Sequence, residues 1–211
     1  MNQRERKISG LPYKEWLDGL EEDRKACKQK IYDFNQLPPS RQSKEAPQMI
    51  KNIFGKTGEN VWVEAPFHCD YGWNIEVGEN FYSNYNLTIL DVGKVTCGKN
   101  VQIAPNVSIY TAGHPVHPDS RNSGYEYGIP VTVGDNVWIG GNTVILPGVT
   151  VGSNVVIGAG SVVSKDIPDN TIAAGNPCKV IREITDEDRI YYFKKQKFDD
   201  EAWEEVKNKN K

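Results

Sequence analysis

Between Val131 and Asp166 the apolar positions keep a six-residue beat. Val133, Ile139, Ile145, Val151, Ile157 and Val163 fall on it, and glycine follows at Gly134, Gly140, Gly152 and Gly158. The beat is nested in a longer unit: VTVGDNVWIGGNTVILPG runs directly into VTVGSNVVIGAGSVVSKD. A period this short fixes the architecture before any single residue does. Three brief strands per unit, turned by Gly, Asn and Asp, predict one coil of a parallel β-helix.

The rhythm begins near Asn60 and runs to about Ile184. An irregular first coil includes Val63, Cys69 and Ile75, and cleaner ones start at Ile75 and Val95. From Gly113 to Pro130 the segment GHPVHPDSRNSGYEYGIP has no beat, yet the coils resume in phase at Val131. This pattern predicts a loop extruded from a corner of the helix. Long loops in compact domains usually carry function. Upstream, Leu17, Leu20, Cys27, Ile31 and Phe34 recur at helical steps, which predicts a helix over 8–36 ended by Leu37-Pro38-Pro39. A second helix is expected from about Glu45 to Phe54. After Ile184 the chain turns charged and aromatic. Thr185 followed by Asp188 resembles a capping pair. A helix is therefore expected there, burying Tyr191, Tyr192, Phe193, Phe198 and Trp203 over the open end of the solenoid. The predicted organisation is mainly β: an N-terminal helical segment over 1–56, a β-helix over 57–184 with the loop 113–130, and a C-terminal helical extension over 185–211.

Composition narrows the function. A chain of 211 residues buries one substantial core. A net charge of −3 argues against a nucleic-acid surface. No apolar run approaches the length of a membrane span, and MNQRERKISG is not a secretory signal. Cys27, Cys69, Cys97 and Cys178 are scattered, and Cys69 and Cys97 sit on the beat as small buried hydrophobes. Reduced thiols in a cytoplasmic protein are expected.

More specific strings surround the repeat. Gly10 and Tyr13 form G-x-x-Y, Tyr32 to Asn35 reads Y-x-F-N, Trp62 to Pro66 reads W-V-E-x-P, and Asp70 to Gly72 reads D-Y-G. N-x-N-L-T starts at Asn84, T-A-G-H-P spans Thr111 to Pro115, N-V-W-I-G spans Asn136 to Gly140, and A-A-G-N-P ends at Pro177. Together they resemble the maltose/galactoside O-acetyltransferase family of hexapeptide-repeat acyltransferases, nearly end to end. The resemblance implies a left-handed parallel β-helix assembled as a homotrimer with active sites between subunits. It also implies acetyl-CoA as co-substrate, a sugar acceptor and no required metal. The handedness comes from the resemblance alone, since ordinary parallel crossovers are right-handed.

Acyl transfer to a hydroxyl needs a base, because an alcohol is a poor nucleophile at neutral pH. Imidazole suits the task and can return the proton to the departing thiolate. The family's catalytic histidine falls on His114, at the opening of the loop. His117 reads better as a loop or interface residue, and His68 points outward from a coil, near the sugar. Glu126, at the other end of the loop, is a candidate to hold the second ring nitrogen of His114; a solvated carboxylate is the competing reading. Asn84 matches the family asparagine beside the acetyl group and the sugar, where an amide can steady the oxyanion. Asp70 and Asp91 are candidate acceptors of sugar hydroxyls, with Glu15 as a further acid and Asp18 as its alternative. Galactoside-type members have serine at the position of Asp70. For the coenzyme, the resemblance points to Gly141 and Ala159 beside the pantetheine, Trp138 as an apolar wall, and Ser164, Lys165, Lys179 and Arg182 near the nucleotide. Lysine at 179 replaces a common arginine, which removes bidentate geometry.

Three other readings compete. The same fold could acetylate an antibiotic or another small hydroxylated molecule. A zinc hydratase similar to γ-type carbonic anhydrases would need three histidine ligands, and the spacing of these three fits poorly. A purely structural solenoid would have little reason to extrude a histidine-bearing loop.

Overall fold

The computed structural model describes residues 1–208; the last three residues of the predicted C-terminal extension lie outside the described residues. The solenoid has three faces. The first carries the parallel strands Val61–Val63, Phe81–Ser83, Gln102–Ile103, Trp138–Ile139, Val156–Ile157 and Thr171–Ala174. The second stacks Phe67–Cys69, Leu87–Leu90, Ser108–Tyr110, Val144–Ile145 and Val162–Val163, and the third Ile75–Val77, Val95–Cys97, Val131–Val133 and Thr150–Val151. The β-branched beat points inward: Val133, Ile139, Ile145, Val151, Ile157 and Val163 are all buried. At the corner from third to first face, a ladder of amides joins Asn60, Asn80, Asn100, Asn136, Asn154 and Asn170. Five of these, from Asn80 onward, hold left-handed backbone near φ 57, a conformation that Asn tolerates better than most residues.

The loop is extruded without loss of register. Val131 pairs with Val95 and Val133 with Cys97, as if the intervening segment were absent. It leaves from the corner between second and third faces, the corner that also carries Asp70 and Asp91. It is not featureless: Ala112–Gly113 pairs antiparallel with Tyr127–Gly128, and a short helix spans Pro118–Asn122. The His117 ring nitrogen accepts the Asp119 amide and caps that helix.

The N-terminal segment departs from the predicted single helix. Helix α1 spans Gln3–Ile8 and α2 spans Leu20–Asn35, with irregular chain between them. Gly10 and Gly19 adopt left-handed φ and Pro12 lacks an amide, so no continuous helix crosses the interval. Leu17, expected on the buried face, is exposed. Helix α3 spans Pro39–Ile53 and starts earlier than expected, because proline in the first turn gives up an amide that has no partner there anyway. Helices α2 and α3 cover the first coil with Cys27, Ile31, Phe34, Ile50 and Ile53. The Asn35 side chain bonds both the amide and the carbonyl of Phe67, completing the free edge of the second face.

The C-terminal expectation is corrected. Thr185 and Asp188 do form a capping box, but over a 3₁₀ turn at Asp186–Ile190. A two-stranded hairpin of Tyr191–Phe193 and Gln196–Lys197 follows, and a helix begins only at Asp200. Tyr192 and Phe193 are exposed rather than buried over the last coil. Strand Lys179–Glu183 covers the edge of that coil instead, folding back antiparallel on Thr171–Ala174. Among the described residues no helix is long and apolar enough to cross a membrane.

Candidate active site

Two corners of the solenoid carry the candidate residues, at opposite ends of the second face. Asn84 precedes strand Leu87–Leu90 and Asp91 follows it. Four residues at about 3.3 Å each put about 13 Å of strand between them. Gly141 and Ala159 precede later strands of the same face and share Asn84's end. Trp138 stands half-exposed on the first face just before that corner. The corner is closely packed, since a side chain at Gly140 would meet the Ala159 amide nitrogen at 2.5 Å. Lys179 lies near this end, opposite Ala174. Ser164 and Lys165 follow the last strand of the second face, so they lie at the other end.

That other end gathers His114 and a set of acids. His114 is exposed, directly beyond the Ala112–Gly113 strand. Tyr13 reaches the loop from the N-terminal segment: its backbone pairs with Glu126 in both directions, at 2.9 and 3.0 Å, and its buried hydroxyl donates to the Glu126 carboxylate. Glu126 is itself buried and is not a solvated carboxylate. Its hydrogen bond comes from Tyr13, and none joins it to His114 among the described residues. Burial raises the Glu126 carboxyl above its usual range, opposed by the Tyr13 bond and by the nearby His114 imidazole. Burial and the same carboxylate push the Tyr13 phenol up.

Asp70 faces a cleft of ≈ 830 Å³ between α2 and the second face, lined also by Lys28, Tyr32, Asn35, His68 and Leu90. Arg24 on α2 donates to Asp70 at 2.9 Å and to Glu15 at 2.5 Å, tying two of the expected acceptor acids into one ladder. Asp18 instead accepts the Gln3 amide at 2.5 Å and closes the start of α1. Asp91 lies at the same corner. Its side chain is fully buried. One oxygen takes the amides of Asp70 and Tyr71, both at 2.9 Å, so it builds the turn that presents Asp70. Arg182, expected at the nucleotide, holds Asp188 through two bonds of 2.7 and 2.6 Å. That pair, with the Thr185 amide, holds the Asp188 carboxyl far below its usual range.

The sequence pattern left out Arg24 and Lys7. Arg24 looks like one more surface charge on an amphipathic helix, and only the packing of α2 on the first coil aims it at Asp70. Lys7 is buried on α1 among Tyr71, Trp73 and four carboxylates. Its signal in sequence was nil, since lysines are rarely buried.

Comparison with known proteins accounts for both ends of this arrangement. Residues 130–165 match the model of the bacterial transferase hexapeptide (six repeats), and residues 6–58 match the maltose acetyltransferase hexapeptide capping motif. The chain is 51% identical to the galactoside O-acetyltransferase of Escherichia coli strain K12 over 193 residues, covering 92% of this chain and 95% of that one. A solved galactoside acetyltransferase in complex with coenzyme A superposes with a TM-score of 0.91 at 51% identity, over 94% of this chain and 99% of its own. A maltose O-acetyltransferase from Clostridium difficile 630 gives 0.86 at 50% identity, over 88% and 99%. The capping motif is the α1–α3 segment that supplies Tyr13, Glu15 and Arg24, and the repeat is the wall bearing Trp138, Gly141 and Ala159. This chain therefore belongs to the galactoside and maltose O-acetyltransferases, a family of hexapeptide-repeat acyltransferases.

Proposed function

We propose that the protein transfers the acetyl group of acetyl-CoA to a sugar hydroxyl, the 6-hydroxyl by analogy with the family. The observation that carries this reading is the position of His114: an exposed imidazole at the single long break of the solenoid, beside buried acids and within the family motif T-A-G-H-P. His114 takes the hydroxyl proton as the oxygen attacks the acetyl carbonyl. The carbon–sulfur bond then breaks, and the proton passes to the departing thiolate. No acetyl-enzyme is needed. Asn84 steadies the developing oxyanion. Asp70 and Glu15, held by Arg24, accept hydrogen bonds from the sugar. Trp138, Gly141 and Ala159 line the pantetheine arm, Lys179 and Arg182 meet the nucleotide end, and Ser164 and Lys165, at the other end of the second face, reach it from a neighbouring copy. Glu126 acts on His114 through its charge and not through a hydrogen bond.

Asn84 and His114 lie at opposite ends of one face, so a single chain does not close the site. A homotrimer, in which the loop of one copy meets the coenzyme corner of the next, brings them together. The exposed Trp138, Val180 and Ile181 of the first face support such packing. Four free, buried cysteines are consistent with a cytoplasmic location.

A screen for free thiol release tests the reading, with acetyl-CoA and a panel of glucosides, galactosides, maltose, free monosaccharides and non-sugar alcohols. Release is expected with the sugars. Turnover confined to the non-sugar acceptors would overturn it.

A further inference from the structure

The α1 helix places one lysine where the chain has least reason to put a charge. Lys7 is 7% exposed, and its ammonium nitrogen has no hydrogen-bond partner among the described residues. It sits 3.7 Å from the centre of the Tyr71 ring and 4.3 Å from that of Trp73. The two rings meet edge to face, with centroids 5.7 Å apart, and so form a two-walled cage for the cation. Nearby, the second oxygen of Asp91 is also buried without a hydrogen-bond partner among the described residues. The first oxygen of Asp91 fixes the amides of Asp70 and Tyr71, so one carboxylate joins the lysine cage to the turn bearing Asp70.

We propose that Lys7 is a positioning residue for the acceptor. Its ammonium is the counter-charge of Asp91 and, through the Asp70–Tyr71 turn and the Tyr71 ring, it sets how Asp70 is presented to the sugar. The proposal rests on the reading of Asp70 as part of the acceptor wall.

Beyond the two rings, four carboxylates act on the amine. Asp91 and Asp70 face it from the corner, Glu126 from the loop and Asp23 from α2. Asp23 is engaged by Arg4 at 2.6 Å, and Asp70 by Arg24 at 2.9 Å. Asp91 has no such cation, which leaves Lys7 as its counter-charge among the described residues. Burial pulls the Lys7 ammonium down to about 8, against the pull of these carboxylates. The same burial raises the Asp91 carboxyl. As pH rises through this range the amine loses its proton, the cage loses its cation and Asp91 its counter-charge. Acceptor binding should therefore weaken on the alkaline side.

The test is steady-state kinetics of the full-length protein with a sugar identified in the screen, from pH 6.5 to 9.5. Lys7→Met fills the cage with an uncharged chain of similar length. It should raise the acceptor KM about tenfold while kcat and the KM for acetyl-CoA stay within about twofold. In the native protein the acceptor KM should climb above a pH of about 8. Lys7→Arg, which keeps its charge throughout, should remove that climb. The double variant Lys7→Met with Asp91→Asn removes both charges together and should return KM toward the native value. An unchanged KM in Lys7→Met, alongside a raised KM in Asp70→Asn, would overturn the proposal and leave the acceptor wall standing. An unchanged KM in Asp70→Asn would remove the wall, and the proposal with it. A joint fall of kcat and coenzyme affinity in Lys7→Met would mark loosening of the N-terminal segment, which also overturns a positioning role. Where Lys7→Met alone does not fold, the double variant and Lys7→Arg decide the matter.

Discussion

The coils over 131–166 and the corner around His114 belong to one solenoid but use burial in opposite ways. Inside the coils the buried positions are aliphatic apart from the neutral Thr143 and Ser161, whose hydroxyls bond backbone carbonyls, and no charged side chain is buried there among the described residues. At the corner the chain buries Lys7, Asp70, Asp91 and Glu126 within one cluster, joined to Tyr13 and Tyr71. Buried charges are costly unless paired. The corner holds them between the docked N-terminal helices and the regular coils that continue on its C-terminal side. Repetition makes the scaffold, and the interruption holds reactive groups at fixed places.

Substitutions in the two regions should therefore separate stability from chemistry. The largest effect is expected from Ile145→Asp, which puts an unpaired charge at a fully buried position of a coil. No folded protein should be recovered, as judged by circular dichroism of the soluble fraction. His114→Ala should fold normally and bind acetyl-CoA in calorimetry, while kcat falls at least about a hundredfold. Near-normal turnover by that variant would sink the proposed base. Asn136→Ala breaks the ladder at a residue with φ 56, and should cost about 1–2 kcal/mol in urea unfolding without altering KM for either substrate. The smallest effect is expected from Asp188→Asn. It weakens the hold on Arg182, and a few-fold lower KM for acetyl-CoA would show that the guanidinium is needed at the coenzyme. An unchanged value would leave Arg182 as a structural partner of the C-terminal turn.

Much of the scaffold could be read directly because its determinants are local. Each beat residue repeats the environment of the one a coil earlier, so period and turn chemistry suffice to place Ile139 or Val163 in the core. The extruded loop was legible for the same reason, as an absence of beat between coils in phase. The N-terminal helix boundaries were less so. Helical spacing continued across Leu17, while the left-handed backbone at Gly10 and Gly19 and the docking of Tyr13 on Glu126 broke it. The C-terminal capping box was real, yet it began a 3₁₀ turn, since a cap specifies where a turn starts and not how far it continues.

The amino-acid sequence by itself determined the solenoid, the site of its interruption and the residue types available there, because hexapeptide periodicity and turn preference act over a few neighbours. The tertiary structure alone decided the partners of those residues. It gave Glu126 to Tyr13 and not to His114, buried Asp91 under the turn it builds, and aimed Arg24 at Glu15 and Asp70. It also enclosed Lys7 between two aromatic rings. Those contacts join positions up to 113 residues apart. Their energies depend on burial and charge that exist only once the N-terminal segment has docked on the corner.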